Sequence, residues 1–399
     1  MEYEIREHLR QTPHLQGNSG VVQIAPIMAQ LTLFLASRCL QGKEVREQLD
    51  SSFAVLYHDL DDGFQPINFM LPWMPLPQNR RRDAANRKMT QIYADIIKAR
   101  RARSGKPDSQ DMVWTFMQST YKDGTPMPDH EVAHMMIALL MAGQHSSSVT
   151  SAWIMLHLAS QPEILEELYQ EQLRAFEDFS QPITYDDLEK LPLIRDVIRE
   201  TLRLHPTIHS ILRMVKNPLR VEDTDWVIPP SHVMLAAPSA LGFSDEYFPE
   251  AKKWNPHRWE QIANEDASSD QHKFDYGYGL VSTGAGSSYL PFGAGRHRCI
   301  AENYAFLQIT MVVTMMVREF KFRNLEGKEG VVVATDYSVC THTCTCISIS
   351  SINFLSTPFG LEPDILSSPQ SMFARPIEPA YIRWERRVRP TTTTTKSSS

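Results

Sequence analysis

The sequence predicts a mainly α fold with a minor β portion. Over residues 1 to about 176, apolar side chains recur three and four positions apart, and Gly42, Gly63, Gly105 and Gly124 stand between the runs as stops. Over residues 219–238 the pattern shortens into β-like runs, Leu-Arg-Val-Glu and Val-Met-Leu-Ala-Ala, separated by Pro229 and Pro230. After Cys299 an apolar run with helical period returns over residues 300–316.

In chain order the period predicts helices at 21–41, 43–61, 79–103, 108–121, 129–161 and 191–204. The stretch 66–77 is rich in proline, which lacks the amide proton and blocks the preceding turn, so it reads as an apolar loop. Its Phe69, Met70, Leu71 and Trp73 either pack inward or touch a membrane surface. Arg80, Arg81, Arg82, Arg100 and Arg101 read as solvated helix faces that also suit anionic lipid. Residues 135–143 form the most apolar stretch, broken at Gln144, and are expected to be a buried helix, since a bilayer span takes about 20 apolar residues. The tail 391–399 is low in complexity and expected to be disordered.

A chain of 399 residues with 42% hydrophobic content can bury a large core. The net charge of -7 is mild and the basic residues are interspersed with acidic ones, which argues against nucleic acid as a partner. Five cysteines, unevenly placed, are too few for a disulfide framework, and a reducing, cytosol-facing location follows. The first residues are charged where a signal peptide or anchor is apolar, so no targeting segment is read there.

The strongest chemical signal is Phe292-Gly293-Ala294-Gly295-Arg296-His297-Arg298-Cys299 before the helical run. A glycine-rich loop ending in cysteine at a helix start suits a thiolate. Small residues let the backbone approach a flat cofactor, and helix-end amides with Arg298 stabilise negative sulfur. The blander alternative is a buried free cysteine. A dinucleotide cradle is excluded, because neither Gly293-Ala-Gly295 nor Gly284-Ala-Gly286 has the third glycine or a βαβ setting. Glu200 and Arg203 share one helix face, a spacing worth only ~0.2–0.5 kcal/mol if the pair is exposed. In Ala142-Gly143-Gln144-His145-Ser146-Ser147, a glycine removes bulk beside hydroxyls able to handle protons; plain helix–helix packing by small residues is the alternative.

The loop from Phe292 to Cys299 resembles the cysteine-ligand loop of the cytochrome P-450 family, although Ala301 stands where that family usually has glycine. His145-Ser146 after Ala142-Gly143 resembles the sterol 14α-demethylase branch, and residues 209–218 and 276–282 resemble its filamentous-fungal form. The resemblance implies a cytochrome P-450 fold, incomplete at the N-terminus, because an anchor, a β sheet and early helices normally precede the point where Met1 lies. It implies haem b with Cys299 as axial ligand to the iron, Phe292 and Gly293 beside it, and Arg213 and His297 on the propionates. It further implies a buried charge triad of Glu200, Arg203 and Arg258, and a substrate wall of Gly143, His209, Ser210 and Ile211. Proton relay on the distal side would fall to His145 and Ser146.

The implied reaction is dioxygen-dependent removal of a sterol's 14α-methyl group in three rounds, releasing formate, for ergosterol biosynthesis. Electrons from NADPH would come through a separate cytochrome P-450 reductase docking near Arg296 and Arg298. The implied setting is the cytosolic face of the endoplasmic reticulum membrane. A rival from another class is a catalytically inactive fragment that keeps the signature. Residues 1–338 and 371–390 match the family as one partial domain. The segment 339–370, with Cys340, Cys344 and Cys346 around His342, is too cramped for a zinc finger and reads as an inserted, retained intron, since joining Ser338 to Ser371 restores the family pattern.

Overall fold

Helices build the frame of this protein. The computed structural model describes residues 1–49, 51–63, 68, 71, 73–103, 111–176, 178–262, 288–325, 335–336, 375–376 and 380–388. In order these form α1 (Glu2–Gln11), β1 (Ser19–Gln23), α2 (Ile24–Ala36), α3 (Lys43–Glu47), α4 (Ser51–Asp61), α5 (Pro77–Ala102) and α6 (Met112–Met117). Then come α7 (Asp129–Ser160), α8 (Pro162–Ala175), α9 (Tyr185–Leu188), α10 (Pro192–Leu204), β2 (Ile211–Met214), β3 (Leu219–Arg220), β4 (Val227–Ile228), β5 (Val233–Ala236) and α11 (Pro238–Gly242). The chain closes with α12 (Glu302–Glu319), β6 (Phe320–Arg323), β7 (Thr335–Asp336), β8 (Arg375–Pro376) and β9 (Tyr381–Arg386).

The 32-residue α7 is the axis, about 48 Å long at 1.5 Å per residue. Asp129 and Glu131 in its first turn complement the positive end of the helix dipole, and Pro162 starts the next helix immediately beyond it. Its two ends serve different cores. Val132 to Leu140 pack with Phe53, Tyr57, Met89, Tyr93 and Ile97 of α4 and α5. Ala152 to Ala159 pack with α2, α8, α10 and α12, where Leu31, Ile198, Met316 and Trp384 belong to the same cluster. Between the cores lies the polar stretch from Gly143 to Ser151.

The structure corrects several boundaries. Ser19–Gln23 is a strand, not the start of a helix, because it pairs antiparallel with β9, which also pairs with β6. The helix expected at 43–61 is two, α3 and α4, and the one at 108–121 shrinks to α6, capped by the Asp111 carboxylate on Trp114 N at 3.0 Å. That same carboxylate holds Arg100, which is 1% exposed rather than solvated, at 2.7 Å. Residues 135–143 lie within helix α7, and among the described residues Ile24–Gln41 is long and apolar enough to cross a membrane, by length and composition alone; half of it is buried in the core. Trp73 of the proline-rich loop is exposed, while Phe69 and Met70 lie outside the described residues. Strands β7 and β8, on either side of the suspected insertion, pair antiparallel. The insertion itself, the stretch 276–282 and the tail 391–399 lie outside the described residues.

Where α7 ends, two buried histidines meet. His157 and His205 Nε2 atoms are 2.9 Å apart, one ring donating to the other. Trp153 stacks on His205 at 3.8 Å and Trp254 on His157 at 4.7 Å, sealing the pair between indoles. Burial, then the nearby Arg203 charge, pushes His157 down to about 3. Burial, then His157 and Arg203, holds His205 well below its usual range. Both rings therefore stay neutral in the folded chain while the unfolded chain protonates them near pH ~6.5. Their stabilisation is complete above that value and is lost as pH falls. Unfolding free energies measured along a pH series should fall below about pH 5.5 more steeply than in a His157→Gln/His205→Gln variant, by up to ~2.7 kcal/mol per pH unit for two protons. Parallel slopes would contradict the neutral pair.

Candidate active site

The cysteine loop is shaped by its backbone. Gly293 and Gly295 take φ of 71° and 65°, left-handed values that disfavour a side chain. Gly293 N donates to Leu290 O at 3.2 Å, and Cys299 N donates to Phe292 O at 2.9 Å, closing the loop. The Phe292 ring anchors it 5.6 Å from Phe306 of α12. The Cys299 side chain is left exposed, with no disulfide partner. Two expectations shift here. The N-cap of α12 is Ala301, so the cysteine precedes the helix rather than starting it. Arg298, expected to stabilise the sulfur, is engaged by Glu302 through two hydrogen bonds of 2.7 and 2.8 Å.

These residues fit a flat, iron-centred cofactor. A side chain added at Gly295 would meet nothing within 4 Å, and one at Gly293 would meet only His297 O at 3.7 Å, so the loop glycines border open space beside an accessible thiol; Gly143 on α7 likewise borders open space. His297, in the short turn Gly295–His297, and Arg213, on β2, are both exposed; Arg213 Nη1 donates to Leu212 O at 2.9 Å.

The segment before the loop reaches, through the Tyr289 ring on Trp259, a buried carboxylate. Glu200 accepts from Arg203 Nη2 at 2.7 Å and Nε at 2.9 Å, from Arg258 Nε at 2.9 Å, from Trp259 Nε1 at 3.1 Å and from Asn255 N at 2.9 Å. Glu200 is 0% exposed, so the surface-pair alternative does not apply. Arg203 also donates to the carbonyls of Gly242, Ala251 and Lys253, and Arg258 to those of Pro249, Glu250 and Lys253. Gly242 must be glycine, since an added Cβ would stand 2.2 Å from Arg203 O. Helix α10, which carries Glu200 and Arg203, is itself fixed by Glu171 of α8, whose carboxylate accepts from Leu193 N at 2.7 Å in its first turn. Burial raises the Glu171 carboxyl against the pull of those amides.

On α7, His145 Nε2 lies 2.7 Å from Asp61 Oδ1 of α4. The Tyr57 ring sits 5.9 Å from the His145 ring. Ser146 Oγ donates back to Ala142 O at 2.8 Å, a bond within its own helix. Just after α10, His209 Nδ1 and Ser210 Oγ are 2.7 Å apart and Ile211 opens β2; burial lowers the His209 ring, which favours its neutral form. Sequence reasoning missed Asp61 and Tyr57. Their spacing of one helical turn on α4 was visible, but nothing local reveals that this turn meets α7.

The sequence profile of the cytochrome P-450 family matches residues 1–337. The chain belongs to the cytochrome P-450 family. This P-450 is 52% identical over 393 residues to an Aspergillus flavus protein named sterol 14-alpha demethylase, covering 97% of this chain and 70% of that one. It is 50% identical over 395 residues to the eburicol 14-alpha-demethylase of Uncinula necator, covering 97% and 68%. With sterol 14-alpha demethylase cyp51A of Aspergillus fumigatus the identity is 51% over 394 residues, covering 97% and 70%. Among solved structures, the retinoic acid bound cyanobacterial CYP120A1 matches with a TM-score of 0.71 at 18% identity, over 97% of this chain and 73% of that one, a likeness of fold.

Because removing one partner of a buried pair strands the others, Glu200→Gln should destabilise this P-450 by about 3–5 kcal/mol. Denaturant unfolding at pH 7 checks this, and a change under about 1 kcal/mol, the value of an exposed pair, would contradict it.

Proposed function

We propose that this chain is a haem-thiolate monooxygenase that removes the 14α-methyl group of a sterol precursor, the reaction class named in its fungal relatives. One observation carries the chemistry: an accessible Cys299 on a glycine loop bordering open space, the donor set that suits haem iron. Identity near 50% along 97% of the chain to proteins named for sterols and eburicol supports the substrate class. We further propose that residues 1–338 and 371–390 act as one domain, a division favoured by the pairing of β7 with β8 and of β1 with β9.

When bound, haem b held by Cys299 supplies dioxygen activation, with thiolate donation favouring cleavage of the O–O bond. Phe292 and Gly293 flank the thiolate, and Arg213 and His297, both exposed, are suited to the propionates as charged or ring donors. His145 holds a proton at Nε2 against the Asp61 carboxylate, and Ser146 passes it on by releasing its bond to Ala142 O. Gly143 leaves room for the reacting methyl group on this side. His209, Ser210 and Ile211 face the sterol as a neutral ring, a hydroxyl tied to it, and an aliphatic chain, so an apolar ligand strands no charge there. Electrons come from NADPH through a separate reductase that docks at the exposed Arg296 side, at the cytosolic face of the endoplasmic reticulum membrane.

The alternative of a silent remnant is not favoured, because the Glu200 network, the open face at Gly143 and the His145–Asp61 contact are all in place. The haem-loaded chain, supplied with NADPH and a P-450 reductase, should convert a 14α-methyl sterol into its demethylated product with release of formate. Normal haem loading and sterol binding without any product would overturn the proposed activity.

A further inference from the structure

The His145–Asp61 contact is too weak to hold itself. Its side chains are 18% and 34% exposed, and ion pairs in such settings contribute ~0–1 kcal/mol. Helix α4 packs mainly on α5, and its buried apolar cluster with α7 stops at Leu140, before His145, so its last turn needs a further tie to α7. Among the described residues a buried polar bridge does so. Tyr57 OH donates to Gln144 Oε1 at 2.8 Å, and Gln144 Nε2 donates to Ala29 O of α2 at 3.3 Å. Tyr57 is 8% exposed and Gln144 6%, so neither polar end has water to turn to. Burial, then the Asp61 charge, pushes the Tyr57 phenol up, which keeps it a donor throughout the working pH range.

The spacing gives this bridge leverage on the relay. Tyr57 and Asp61 are one turn apart on the same face of α4, and Gln144 and His145 are consecutive on α7. A bond from the first member of each pair sets where the second members meet. We propose that Tyr57 and Gln144 are positioning residues that lock α4 to α7 and α2, and thereby hold Asp61 against His145 for proton delivery. This rests on the relay assigned to His145 above. The hydroxyl touches neither the sterol nor the reacting atoms, and its effect passes through Asp61.

The test uses the haem-loaded chain with reductase, NADPH and a 14α-methyl sterol, and reads product formed against hydrogen peroxide released. Misdirected protons raise the peroxide share without changing sterol binding. Asp61→Asn should raise the peroxide-to-product ratio. Tyr57→Phe, which keeps the ring and removes the hydroxyl, should raise it too and lower kcat about fivefold, with KM within about twofold, on the scale of one lost buried hydrogen bond. Gln144→Met should act as Tyr57→Phe does, from the other side of the bond. In the Asp61→Asn background, Tyr57→Phe should add nothing to the ratio. A ratio unchanged in Tyr57→Phe and Gln144→Met, though raised in Asp61→Asn, overturns the positioning role and leaves the relay standing. Full additivity in the double variant also overturns it, showing a purely structural contribution. An unchanged ratio in Asp61→Asn overturns the relay, and the positioning role falls with it.

Discussion

Five donors from four residues converge on the Glu200 carboxylate, which has no exposure to solvent. A carboxylate so deep is tolerable only because every lone pair is used, and the arginines that use them are in turn spread over backbone carbonyls of the segment 242–253. That network ties α10 to the loop bearing Trp254, Arg258 and Trp259. Through Trp254 it reaches the histidine pair at the end of α7, and through Tyr289, whose ring lies 4.8 Å from Trp259, it reaches the segment leading into the cysteine loop. The end of α7 and the segment before the cysteine loop are therefore both tied to one buried charge.

The middle of α7 is built on a different principle. Helix α7 is apolar at both ends and polar in the middle, and the polar part falls where neither core needs it. There the side chains hold one another by short bonds of modest strength: Ser146 to its own helix, Gln144 to α2 and α4, His145 to Asp61. The Ser146 bond and the His145–Asp61 contact are part-exposed and can be exchanged for water at little cost, whereas the buried Tyr57–Gln144 bond cannot. The rigid carboxylate network holds the frame, and the exchangeable contacts lie at the residues proposed to handle protons.

Much of this was legible from residue types. The cysteine loop, the long helix and the pairing of Glu200 with Arg203 are local patterns, set within one or two turns of chain. What sequence could not give was non-local. Strand β1 looked like the start of a helix because its partner β9 lies at the other end of the chain. Arg100 looked like a solvated cation, and only the fold brings Asp111 and Glu44 to it. Arg298 looked like a partner for sulfur, yet Glu302 sits one helical turn away and takes it. Asp61, Tyr57 and the stacked His157 and His205 were missed for the same reason, since each acquires its meaning from a helix crossing.

The assignment of Cys299 as the group that holds the iron is the claim on which the functional account depends. Its most direct test is the reduced carbon-monoxide difference spectrum of the haem-loaded chain beside that of Cys299→Ser. The account predicts the thiolate-type Soret shift in the first and its loss in the second, because an alcohol oxygen does not donate charge as sulfur does. The same shift in both proteins would contradict it.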